Sequence, residues 1–253
     1  MLALIPGELF VIFLVFTRTG AALMVMPGFG EAYVPPRVRL LIALAISVVV
    51  TPVVTAQMPG LPATPLALFV LLFGEIVIGV FLGLIGRIML VALHTTGTVI
   101  SFQVGMANAF VFDATTAQQA SLPSMFLTVL GVLIIFTANL HHLMLRAVVN
   151  SYDLFTPGVM PPIDDFSQFV SRLVADSFIL GIQLAGPFMA VGLIFYLGIG
   201  LLARLMPQVQ IFFIALPMQI MFGILVVALT LSAALMWFLD SFEMSLIGAF
   251  SPV

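Results

Sequence analysis

The sequence predicts an all-α polytopic membrane protein with about six long, kinked hydrophobic helices or helical hairpins, and three observations carry that prediction. Hydrophobic residues fill 63% of the 253 positions and charged residues only 7%, against about a quarter charged in a soluble domain, so too little polar side chain exists to cover a water-facing surface. Apolar stretches recur at the length that crosses a hydrocarbon core, about 20 helical residues. Within them apolar residues run on continuously, without the alternation of outer-membrane strands. Backbone groups in lipid have no water to satisfy them, which leaves helices. One membrane-embedded domain over residues 1–253 is expected.

Six stretches are expected to be membrane helices: Leu9–Met26, Leu40–Ala56, Leu66–Leu93, Leu122–Val149, Ser177–Leu202 and Val209–Leu239. The first lacks a basic leader, carries Arg18 at its middle and has no small-residue cleavage site, so it reads as a retained helix rather than a secretion signal. The third and fourth would each span roughly 42 Å if straight, beyond a core about 30 Å thick. They must tilt, kink or stand partly outside lipid. Gly74, Gly79, Gly83 and Gly86 in the third, Pro187 in the fifth and Pro217 in the sixth are the expected kink sites. Gly79 and Gly83, at i and i+4, also permit close helix approach.

Orientation rests on few cations, since the chain has seven arginines and no lysine. Placing the connections with Arg37, Arg39, Arg87 and Arg204 in the cytoplasm puts both termini outside, with the acidic segment holding Asp153, Asp164, Asp165 and Asp176. Arg146 and Arg172 flank that acidic segment and oppose the assignment. No cysteine is present, so disulfides and thiolate metal sites play no part.

Charges inside apolar stretches are costly and therefore informative. Arg18, Glu75 and Arg87 are candidates for a buried salt bridge within the fold or at a subunit interface, with an ion relay as the competing reading. A relay needs several titratable groups in succession, and the chain offers one buried acid and a separate His141-His142 pair. Those histidines should diverge by about 100° on a helix and so cannot grip one metal together. No catalytic motif is found: His-Glu-x-x-His, Gly-x-Ser-x-Gly, a phosphate-binding glycine loop and paired intramembrane aspartates are all missing from the sequence. Asp164-Asp165 reads as part of a solvated loop. A net charge of −3 offers no basic surface for nucleic acid. Neither an enzyme nor a cofactor is expected.

The passage between the third and fourth stretches, residues 101–122, is unusual. Val104, Met106, Phe110, Val111 and Phe112 are too apolar for a free aqueous loop, whereas Asp113–Ser121 is small and polar. Non-helical backbone at membrane depth is tolerated where protein buries it or it lines a cavity, so a re-entrant loop is expected.

Three passages in register resemble the FliR/SctT family of flagellar and type III secretion export-gate proteins. One is Pro27-Gly-Phe-Gly-Glu-Ala-Tyr-Val-Pro-Pro-Arg-Val-Arg-Leu40 with its continuation to Ser47. Another is Ser101-Phe-Gln-Val-Gly-Met106 with Phe112-Asp113 and, farther on, Asn139-Leu-His-His-Leu143. The last is Gly200-Leu-Leu-Ala-Arg-Leu-Met-Pro-Gln-Val-Gln-Ile-Phe-Phe-Ile214 leading to Pro217. The resemblance implies a subunit of the flagellar protein export gate in the bacterial inner membrane at the basal body. It also implies partners: FliP-type and FliQ-type subunits in a ring, a FlhB-type subunit at the cytoplasmic side, and unfolded proteins passing through the middle.

In that family the mid-chain segment plugs the closed pore, and the matching positions run from about Met106 to Ser121. Met106, Phe110, Val111, Phe112 and Asp113 are the implied plug residues. Bulky apolar groups can close a constriction by excluding water, and methionine adapts to irregular gaps. The pattern departs at Ala114, where many relatives have proline after the aspartate. Loop statistics alone would leave residues 94–121 in the cytoplasm; the resemblance puts much of that span in a pore. A virulence secretion gate is the alternative function, followed by an ion or small-molecule transporter, for which an inverted repeat would be the sign.

Overall fold

A computed structural model describes residues 7–106, 110–113, 118–159, 163–206 and 211–250. Eight α-helices, a short 3-10 turn at Thr55–Gln57 and one two-stranded ribbon follow among them. The helices and strands are α1 (Gly7–Val25), α2 (Pro36–Val54), α3 (Pro65–Gln103), β1 (Phe110–Asp113), β2 (Gln118–Ser121), α4 (Leu122–Thr137), α5 (Leu140–Leu154), α6 (Ile163–Leu184), α7 (Gly186–Leu205) and α8 (Ile211–Phe250). Among the described residues five helical segments are long and apolar enough to span a membrane, and the bent pair α4–α5 makes a sixth. The protein is a polytopic all-α membrane protein.

Two compact units divide the chain. One comprises Met1–Ile88, Phe136–Leu173 and Phe242–Val253; the other comprises Met89–Ile135 and Val174–Ser241. α3, α4, α6 and α8 each contribute to both.

In the first unit, α1 packs against α2 and the first half of α3. Pro36 opens α2 at a position where a missing N–H costs nothing. Hydroxyls then stitch that helix to itself: Ser47 donates to Ala43 O (2.6 Å), Thr51 to Ser47 O (2.7 Å) and Thr55 to Thr51 O (2.6 Å). Such back-bonding lets polar residues sit in an apolar helix without orphaned groups. Small residues bring α3 onto α1, since a Cβ added at Gly83 would lie 2.6 Å from Ala22 O and 2.9 Å from Val25 Cβ. Phe10, Leu14 and Leu71 form one buried cluster, and Val15, Val50, Val54 and Tyr152 another. Phe81 stacks on Phe166 at 3.9 Å, with Phe155 and Phe169 edge-on around them.

Expected and observed elements differ in four places. The third stretch does not end at Leu93; α3 continues for ten more residues, because Thr96 and Thr98 turn their hydroxyls onto the carbonyls of Ala92 (2.8 Å) and His94 (2.9 Å). The fourth stretch is broken at Asn139, whose φ of 60° is left-handed, a conformation asparagine tolerates. The fifth straddles two helices, with Pro187 in the first turn of α7. Asp164 and Asp165 are not in a loop but in the first turn of α6, where carboxylates complement the helix dipole. Pro217, by contrast, lies inside an α8 of 40 residues.

Candidate functional site

The mid-chain segment is a β-hairpin between α3 and α4, whose adjoining ends lie in the second unit. β1 and β2 pair antiparallel, with Phe110 opposite Ser121 and Asp113 opposite Gln118. Residues 107–109 and 114–117, and the side chains of 110–113 and 118–120, lie outside the described residues. The expected plug side chains Phe110, Val111, Phe112 and Asp113 therefore have only their backbone placed, in β1. Met106 is partly buried and donates its N–H to Ser101 O at 2.9 Å.

Both roots of the hairpin are built from recognisable helix-end chemistry. α3 stops in a Schellman turn: Met106 N–H reaches Ser101 O, Gly105 N–H reaches Phe102 O (3.3 Å), and Gly105 takes φ 76°. Glycine accepts that angle without a Cβ penalty. The carbonyl of Gln103, next along, accepts a hydrogen bond from the side-chain amide of Gln219 of α8 at 2.6 Å. At the far root Ser121 caps α4, accepting the Ser124 N–H at 3.4 Å while Ser124 Oγ donates back to Ser121 O at 2.8 Å. Gly97 of α3 lets the Ser124 backbone come close enough that a Cβ there would clash.

A cavity of about 20 Å³, room for about one water, is lined by Gln103, Val104, Phe188, Gln219 and Phe222. A larger one of about 490 Å³ in the first unit is lined by Leu9, Phe10, Phe13, Phe16, Leu44 and Leu61 among others, all apolar.

Arg18 pairs with Glu75, and Arg87 with Glu31, in the first unit. Arg18 is 0% exposed and Glu75 1%. The guanidinium forks onto the carboxylate, Nε to Oε2 at 2.6 Å and Nη2 to Oε1 at 3.0 Å. It also donates to Ser151 Oγ (3.1 Å) and Phe155 O (2.8 Å) and lies 3.9 Å over the Tyr152 ring. One turn beyond Glu75, Gly79 admits α1: a Cβ there would meet the Arg18 carbonyl and come within 2.8 Å of Ala21 Cβ. Helix approach and ion pair thus depend on each other.

Arg87 meets Glu31 at 2.6 Å, with the carboxylate buried and the guanidinium one-third exposed. Partial burial raises the nearby Tyr33 hydroxyl above its ordinary pKa, with the Glu31 carboxylate adding to the rise and Arg87 opposing it. The Glu31 loop packs under Phe136, whose ring lies 5.5 Å from Phe29 and 4.6 Å from His141. The His141 and His142 rings are 4.0 Å apart, not splayed as helix geometry alone suggests, because His141 stacks on Phe136 at the α5 start.

Sequence reasoning missed Glu31, Ser151, Tyr152 and Gln219. Glu31 carried a legible signal, an acid beside an apolar run; the other three are ordinary helix residues whose partners lie far away in the chain.

The family model described as bacterial export proteins, family 1, matches residues 9–245. A flagellar biosynthetic protein FliR from Caulobacter vibrioides is 34% identical over 236 residues, 93% of this chain and 94% of its own length. The FliR of Bacillus subtilis is 30% identical, covering 82% of this chain and 80% of its own length. That of Escherichia coli is 28% identical, covering 87% of this chain and 81% of itself.

Proposed function

The chain belongs to the bacterial export proteins, family 1, and on that footing we propose that it is a membrane subunit of the flagellar protein export apparatus whose segment Met106–Ser121 plugs the closed export channel. The observation that carries the plug is the hairpin: extended backbone between an apolar helix of 39 residues and the apolar α4. Such backbone is viable at membrane depth when protein surrounds it or it lines a cavity. Met106, Phe110, Val111 and Phe112 supply groups that exclude water and ions from a constriction, and Asp113 closes β1 on a polar residue.

Exposed apolar faces support an assembly. Leu193, Ile194, Leu197 and Leu201 of α7 and Met221, Leu225 and Leu229 of α8 are half or more exposed, so lipid or neighbouring subunits must cover them. We assign those neighbours to FliP-type and FliQ-type subunits, with a FlhB-type subunit alongside, in the bacterial inner membrane at the flagellar basal body. The flagellar names of the relatives favour this setting over a virulence gate. Transport of an ion or polar solute finds less support, because the larger cavity lacks polar lining. Unfolded proteins are the cargo.

Deletion of residues 110–119 tests the plug. The assembled gate should then pass ions and small solutes at rest, measured as bilayer conductance; an equally tight gate overturns the assignment.

A further inference from the structure

The hairpin's N-terminal root is held by a residue that the plug itself does not include. Gln219 is 7% exposed within a long apolar helix, where an unpaired amide would be costly. Its NH2 group is fully used: one hydrogen bond goes to the Gln103 carbonyl at 2.6 Å and one to the Tyr196 hydroxyl at 2.9 Å. A helix end leaves its last carbonyls without partners. At α3 the Schellman turn satisfies those of Ser101 and Phe102, and Gln219 of α8 satisfies the Gln103 carbonyl.

The grip is specific in shape as well as in polarity. Gly223 lies one turn after Gln219 on the same face of α8, and a Cβ there would overlap the Val104 side chain. Gly192 of α7 likewise makes room for the Gln103 side chain, and the Gln219 carbonyl oxygen would lie 3.4 Å from a Cβ at Gly105. A donor and two notches therefore converge on the three residues where helix gives way to hairpin.

We propose that Gln219 is a positioning residue of the gate: by capping α3 at Gln103 it sets where that helix stops and holds the hairpin at its closed register. The proposal rests on the plug reading and adds the device that retains the plug. Opening then requires the amide to let go of Gln103, after which the last turn of α3 can unwind or extend and carry β1 with it.

The test uses the complete export assembly with conductance expressed per assembled complex. Gln219→Leu, similar in size without a donor, should raise resting conductance about tenfold, the weight of one or two neutral hydrogen bonds. Gln219→Met, of similar length and with no donor, should leak equally, and Tyr196→Phe less. A residue that merely stabilises the fold would lower the yield of assemblies and leave each one tight.

Because the chain has no cysteine, Met106→Cys is a clean reporter of the root: a water-soluble maleimide should label it faster in the Gln219 variants. Tight assemblies and unchanged labelling overturn the proposal when the 110–119 deletion leaks. If the deletion itself is tight, the plug reading fails, and the labelling rate still decides whether Gln219 holds the root. Should both Gln219 variants fail to assemble, labelling in Tyr196→Phe decides, acceleration supporting the clasp and an unchanged rate overturning it.

Discussion

The polar centre around Arg18 in the first unit and the polar clasp around Gln219 in the second solve the same problem by opposite means. Each places polar groups among apolar helices, where every unpaired donor is penalised. Around Arg18 the bonds are charge-assisted and several: a fork to Glu75, two further acceptors and an aromatic face, drawn from α1, α3, α5 and the residue after it. Around Gln219 the bonds are neutral and few, and one of them ends on a helix terminus next to the hairpin. A charged centre cannot be opened stepwise without stranding a buried ion. Neutral hydrogen bonds contribute about 0.5–1.5 kcal/mol each, small enough to make and break in a working cycle. The first arrangement suits a fixed joint and the second a releasable one.

Removing one partner of the buried pair is the strongest way to break this contrast. Arg18→Leu should leave Glu75 ionised or forced to protonate in an apolar site and cost about 3–5 kcal/mol, seen as lost assembly or a large drop in unfolding temperature. Replacing both, Arg18→Met with Glu75→Leu, should recover much of that loss, since paired apolar groups avoid the uncompensated charge. Equal damage from the single and double changes would show that the charge itself, beyond its pairing, is needed. A relay role would instead reveal itself as normal assembly with lost energy coupling.

A smaller effect sharpens the comparison at the other hairpin root. Ser121→Ala removes an N-cap of α4 and should cost about 1 kcal/mol. It leaves the Gln103–Gln219 contact alone, so labelling at position 106 should not change. If it accelerated as it does on loss of Gln219, the two roots would be one cooperative clamp rather than two independent supports.

Much of the first centre was legible in the sequence and little of the second. Arg18 and Glu75 stand out because charge in an apolar run is rare, and the Gly79–Gly83 spacing announces the close approach that joins them. Ser151 and Tyr152 are invisible at that level, since they come 133 and 134 positions after Arg18 and meet it only because the fourth stretch breaks at Asn139. The end of α3 lies beyond the expected one for a related reason. Polarity at His94–Ser101 looks like a helix end until the threonine hydroxyls are seen to satisfy backbone carbonyls of their own helix. Gln219 carries no local signal, being a glutamine whose meaning lies 116 residues upstream. The hairpin sequence suggested non-helical backbone, and the pairing of β1 with β2 gives that suggestion a definite form.

The Glu31–Arg87 pair lies between the two extremes and should give the smallest effect. Its carboxylate is buried at 2% exposure, but its guanidinium is one-third exposed, so water can take over when the partner is lost. Glu31→Gln should therefore cost no more than about 1 kcal/mol, as exposed pairs do. The sharper readout is Tyr33. Burial raises its pKa, Glu31 adds to the rise and Arg87 opposes it, so neutralising the acid removes one upward push and should move the phenol's titration toward lower pH, followed by phenolate absorbance. A stability loss as large as that of Arg18→Leu would mean that exposure at one end does not relax an ion pair in this fold, and the distinction between fixed and releasable centres would have to rest on charge alone rather than on charge together with burial.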